Sequence, residues 1–167
     1  RVTSDIAFRR FNLEQLTGAF SFGRITGRLD GEVTSLKLLN WSPVAFSSRI
    51  YTTPKDDEPH RISQRAIDNI SAIGGGPTGV LSRGALSIFK EFQYEKLGLS
   101  CVLDNGVCVM DGVDKAADGS YYLVKGRLLP RIDVRGYSHR VSWPSLLDQL
   151  KAARESGGPK LGGGSQP

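Results

Sequence analysis

"LGLSCVLDNGVCVMDG", Leu97 to Gly112, holds both cysteines of a 167-residue chain, on either side of Asp104-Asn105-Gly106. The stretch reads as a β-hairpin. Leu99 and the apolar run Cys101, Val102 and Leu103 lead into a strong turn signal, and Val107 to Met110 lead out of it. A loop centred on Asp104 and Asn105 sets Cys101 opposite Cys108, close enough for a disulfide. The alternative is a pair of reduced core thiols. Two cysteines cannot make a four-thiolate zinc site, and His60 and His139 show no ligand spacing with them. The six residues between the cysteines exceed the two of a C-x-x-C redox motif. A ring this small stabilises by about 2.5 kcal/mol in the chain-entropy model. A bridge also implies an oxidising compartment.

Outward from the hairpin, the first third of the chain reads as strands. Phe20 to Leu29 and Glu32 to Leu39 flank Asp30-Gly31, a second turn signal. In "SPVAFSSRIYTT", Val44, Phe46 and Ile50 share one face while Ala45, Ser47, Arg49 and Tyr51 share the other, the period of a half-buried strand. Pro54 to Pro59 is a polar loop. Ser63 caps a predicted helix to about Ile73, with Ile62 and Ile67 as its hydrophobic staple and Gly74-Gly75-Gly76-Pro77 as its stop. A second helix is predicted from Leu81 to Tyr94, with Leu86, Phe89 and Phe92 on its apolar face. After the cysteine hairpin come "YYLVKGRLL" and "RIDVRGY", the latter a one-sided strand carrying Ile132 and Val134. Ser142-Trp143-Pro144 opens a last helix with Leu146, Leu147 and Leu150.

The expected fold is α+β: a mainly antiparallel curved sheet, the end of a β-groove, with about three helices packed on it. Residues 1–53 read as the strand-repeat region of the groove, 54–156 as an α+β C-terminal region, and 157–167 as a flexible tail. Length and composition, 39% hydrophobic and 23% charged, suit one globular unit. The net charge of +5 is dispersed, with no basic run longer than Arg9-Arg10, and nucleic acid is not expected as a partner. No apolar stretch is long enough for a membrane span. The chain begins at Arg1 and reads as a fragment or a processed product.

No catalytic constellation stands out. Gly74 to Gly79 satisfies G-x-G-x-x-G, but the predicted order around it is helix, glycines, helix, and not the βαβ unit that a dinucleotide site needs. There is no G-x-S-x-G, and neither histidine lies in a triad or an H-E-x-x-H setting. Asp133 and Asp148 are an acid pair only if the fold joins them. The expectation is a non-enzyme with no catalytic residues, no metal and no cofactor.

"ISQRAIDNISAIGGG" (Ile62 to Gly76), "FKEFQYEKLGLSCVLDNGVCVMDGV" (Phe89 to Val113) and "YYLVKGRLLPRIDVRGYSHRVSWPSLLDQL" (Tyr121 to Leu150) resemble the C-terminal region of YdbH-like proteins of the AsmA/TamB superfamily. "LTGAFSFGRITGRLDGEVTSLKLLNWSP" (Leu16 to Pro43) resembles the glycine-punctuated strand repeat that precedes it there. The resemblance implies the C-terminal part of a bridge-like lipid transfer protein of the Gram-negative cell envelope. Such a protein is anchored in the inner membrane and crosses the periplasm as a β-groove that carries phospholipid to the outer membrane. The implied partners are phospholipid and a small outer-membrane lipoprotein.

The residues suit such work, because each methylene of an acyl chain costs about 0.8 kcal/mol to expose to water. A sheet with one apolar face lowers that cost along its length. The candidates for a lipid-facing surface are Phe20, Phe22, Leu36, Leu38, Val44, Phe46, Ile50, Ile132 and Val134. The same residues would also serve as an ordinary closed core beneath helices. A second reading makes the chain a docking module completed by a partner strand at an unpaired sheet edge, without lipid conduction of its own.

Overall fold

The computed structural model describes residues 3–157. Strand β1 (Thr3–Asn12) leads into helix α1 (Leu13–Ala19), followed by β2 (Arg28–Leu39) and β3 (Ser42–Thr52). A short β4 (Arg61–Ser63) precedes α2 (Gln64–Ile73), the single turn α3 (Val80–Arg83) and a 3-10 turn at Ala85–Ile88. Then come β5 (Glu91–Asp104), β6 (Val107–Gly112), β7 (Asp114–Lys115), β8 (Tyr121–Gly126), β9 (Val134–Gly136) and β10 (Arg140–Ser142). Helix α4 (Trp143–Gly157) ends the described chain. The expected tail therefore lies outside the described residues apart from Gly157.

The fold is α+β, with an open, mainly antiparallel sheet in the order β1-β2-β3-β5-β6-β10. The 14-residue β5 is its spine and changes neighbours along its length. From Gly98 to Asp104 it lies between β3 and β6. From Glu91 to Leu97 it pairs instead with β4 and β8, and β8 continues to β7 and β9. Gly98 sits at the change, where an added Cβ would fall 2.5 Å from the Ile50 carbonyl. Because β3 pairs with β5, the first 53 residues and the remainder share one sheet.

Local signals explain the elements that form as predicted. The Ser63 hydroxyl accepts from Ala66 N at 3.2 Å, Ile62 and Ile67 are both buried, and Gly74 closes α2. Ser145 N reaches the Ser142 hydroxyl at 3.4 Å as α4 begins. The cysteine hairpin is present, turning at Asn105 and Gly106, both with positive φ, as a two-residue turn that matches strand twist requires. That turn sits one residue later than expected. Cys101 therefore opposes Met110, and Cys108 opposes Leu103. The two cysteines are diagonal neighbours on one buried face, and they are joined as a disulfide with Cα atoms 5.5 Å apart.

Several expectations are corrected. Residues 20–27 are not a strand: Gly23 and Gly27 hold φ of +113° and +117°, and only Ile25 makes a β-bridge, to Ile62. Asp30-Gly31 is no turn but the interior of β2, where Gly31 leaves room for the Phe8 ring lying across it. The hairpin turn falls instead at Asn40-Trp41, both at positive φ. The helix predicted from Leu81 to Tyr94 stops at Gly84, and from Glu91 onward the chain is strand, with Phe92 and Tyr94 pointing into the core. In "RIDVRGY" only Val134–Gly136 is strand.

Candidate functional site: an apolar cavity between helices and sheet

Helix α1 forms one wall. Asn12 caps it, accepting from Gln15 N at 3.0 Å, and Leu13, Leu16 and Thr17 project from one side at helical spacing. The Leu13 amide donates to Gly27 O at 3.0 Å, which fastens the helix to the segment before β2. Asn69 of α2 donates its side-chain amide to Phe22 O at 2.6 Å, tying the same segment to α2. Helix α4 is held against α2 by Gln149 to Ala72 O, 3.3 Å, and Arg65 to Ala153 O, 3.1 Å.

Between these three helices and the sheet lies a cavity of about 430 Å³. Leu13, Leu16 and Thr17 of α1, Ile70 and Ile73 of α2 and Leu150 of α4 line it from above. Leu29, Ile50, Leu97, Leu99 and Leu123 form its floor on the strands, and Phe20, Phe22 and Ile25 close the side. Thr17 carries the one polar side chain in the lining, and its hydroxyl is spent on Leu13 O at 3.0 Å. The cavity presents no unmet hydrogen-bonding demand from that side chain, so its chemistry is that of a hydrocarbon sink. Phe20 is 52% exposed and Leu150 41%, which places the opening at these two residues.

Of the nine residues expected to face lipid, the cavity gathers Phe20, Phe22 and Ile50. Phe46 shares the Ile50 face but is packed edge-on against Trp143 of α4, ring centroids 5.5 Å apart. Leu36, Leu38 and Val44 lie towards the β2–β3 hairpin tip, beside Leu39 and a Trp41 that is 92% exposed. Ile132 and Val134 belong to a separate cleft of about 380 Å³ near α2 and α3. Val134 is buried there, beneath the helices as in a closed core. The Asp133 carboxylate accepts from Gly126 N and from Arg131, its hydrogen bonds among the described residues, and neither is to Asp148. Sequence reading missed all of α1, although Asn12 followed by Leu13, Leu16 and Thr17 was a usable signal. Ile70, Leu97, Leu123 and Leu150 were legible as apolar but not as neighbours.

A larger cleft of about 900 Å³ lies by the β3–β4 loop, lined largely by polar residues. Within it His60 Nε2 is 3.1 Å from Asp56 Oδ2, and the His60 ring stacks on Tyr94 at 4.8 Å. This pair is a loop clamp. Asp56 also accepts from Arg28 N at 2.8 Å and Glu58 N at 3.2 Å. Burial pushes its carboxyl up, and the bonds from Glu58 N, His60 and Arg28 N outweigh that, leaving it below the ordinary range. Burial drives the Tyr94 hydroxyl upward in pKa and pushes Tyr121 up to about 12, so both stay neutral donors, to Thr26 O and Ser138 O. Among the described residues no three His, Cys, Asp or Glu side chains gather to hold a metal ion, and no helix is long and apolar enough to cross a membrane.

Beside the cavity, Asp30 of β2 ties β1 to the residue that follows β3. It is buried and accepts from Arg10 N at 2.9 Å and the Thr53 hydroxyl at 2.8 Å. The Arg10 amide is the main reason its carboxyl lies below the usual range, with burial opposing and Thr53 assisting. Compared with protein-family models, curated proteins and solved structures, the chain matches none of them.

Proposed function

We propose that this chain handles the acyl chains of phospholipid, as the C-terminal part of a bridge-like lipid transfer protein. The periplasm is the proposed location, the inner membrane the anchor site of the whole protein, and the outer membrane the destination. One observation carries the reading: an opening at Phe20 and Leu150 leads into about 430 Å³ lined almost wholly by aliphatic and aromatic side chains. A soluble interior is normally close-packed, and apolar surface left unfilled forgoes both burial and dispersion energy. An oily ligand restores both. The disulfide is in keeping with an envelope location. The reading requires no bond to be made or broken, and so no enzyme activity, metal or cofactor.

A second reading, strand addition by a partner such as a small outer-membrane lipoprotein, is favoured by β1. This ten-residue strand ends the sheet and pairs only with β2 among the described residues. Its outer edge offers unpaired backbone groups. The test for lipid handling is organic extraction of protein purified from an oxidising compartment, followed by mass spectrometry. Phospholipid recovered reproducibly, and depleted in Leu16→Trp, supports it. Lipid-free protein that also fails to take up a fluorescent acyl probe ends it.

A further inference from the structure

We infer that the cavity takes a single acyl chain of about fourteen carbons, leaving the head group and any second chain outside the mouth at Phe20 and Leu150. The inference rests on the lipid-handling reading and adds a stoichiometry and a length limit. A methylene needs about the room of a liquid water molecule, about 30 Å³, so 430 Å³ accommodates about fourteen carbons and not the two chains of a diacyl lipid.

Packed side chains close the cavity along β3 and β5. Along β3, the apolar face beyond Ile50 is occupied by Phe46 against Trp143. Along β5, the face beyond Leu99 is filled by Cys101 and Leu103, both buried and the first of them bridged to Cys108. Neither strand lets the space continue as a channel. Within the lining nothing would hold a phosphate or a glycerol: the Thr17 hydroxyl already donates to Leu13 O. A charged or strongly hydrated group therefore stops at the opening, since its burial here would go unpaired. The slot measures a chain from its methyl end.

The experiment is a calorimetric titration of the full chain with lysophosphatidylcholines whose single chains run from about eight to about eighteen carbons, each kept below its micellar concentration. Free fatty acids of the same lengths form a second arm, which separates recognition of the chain from recognition of the phosphate head. The expected result is one equivalent bound. Affinity should rise about fourfold per added methylene and level off near fourteen carbons. Fatty acids should follow the same curve. Ile73→Trp, which takes up space in the cavity, moves the plateau to shorter chains; should that variant unfold, the wild-type length series still decides.

Two equivalents bound, or affinity still climbing at the longest chains, overturns the single-chain slot while leaving lipid handling intact. Length-independent binding that needs the phosphate head does the same. No binding in either arm removes both readings together.

Discussion

Around Leu103, Cys108, Met110 and Tyr121 the sheet face is filled by interlocking side chains, each nearly inaccessible to water. Under α1, a short distance along the same face, side chains of the same kind surround a hollow. Composition does not separate the two regions; coverage does. Helix α1 has seven residues and is about 10 Å long, too short to blanket an apolar surface that runs across β2, β3 and β5. The close-packed region has instead a disulfide-linked hairpin and the Tyr121 ring packed on Gly136. One half of the molecule is filled by its own side chains, and the other keeps an apolar hollow.

The largest expected effect tests that contrast directly. Leu103→Ala opens a new void in a filled region and should cost about 2–5 kcal/mol in urea unfolding. Leu16→Ala enlarges a void already present and should cost well under half as much. Equal losses would mean that the hollow is no softer than the core and would break the comparison. Next, Cys101→Ala with Cys108→Ala should lower stability by about 2.5 kcal/mol through the freed eight-residue ring. Uptake of an acyl probe should hardly change, because neither cysteine lines the cavity. A free-thiol count of two in the unreduced wild type would remove the bridge from the account.

Overpacking sharpens the same contrast at smaller scale. Met110→Phe forces a larger ring into a filled site and should cost about 1–3 kcal/mol. Ile73→Phe grows into empty space, so it should be neutral or raise the thermal midpoint by a few degrees, while weakening acyl-probe binding. If Ile73→Phe destabilises as much as Met110→Phe, the cavity is not available to a side chain and still less to a ligand.

How much of this was legible from residues follows the range of the forces involved. Helix α2 was readable because Ser63, the Ile62–Ile67 staple and the glycine stop all act within a dozen residues. The first half of β5 was misread because two periods overlap there. Leu86, Phe89 and Phe92 recur every three residues, while Phe92 and Tyr94 alternate with Glu91, Gln93 and Glu95. Gly84 ends the helical option, and pairing with β4 and β8 decides for strand. The disulfide was readable, yet its register was not, since one residue of turn position moves each pairing. The cavity could not be read at all. Its lining spans Leu13 to Leu150, and its volume depends on how three separate helices settle on one sheet.

The smallest expected effect concerns what keeps the hollow half assembled. Asp30 is depressed in the folded protein, so its contribution is fully present above the unfolded carboxyl value of about 3.9 and fades as pH falls through the lower folded value. Asp30→Asn keeps an oxygen for the Arg10 amide and the Thr53 hydroxyl but removes the charge. At pH near neutrality, wild type should therefore unfold at slightly higher urea than Asp30→Asn, and the gap should close on acidification below about pH 4. Asp56 still titrates in both proteins, so it lowers both curves without closing the gap. Urea midpoints measured over that pH range settle the matter: a gap that persists in acid would assign the difference to amide geometry, and the carboxylate would no longer be what joins β1, β2 and the residue that follows β3 beside the cavity.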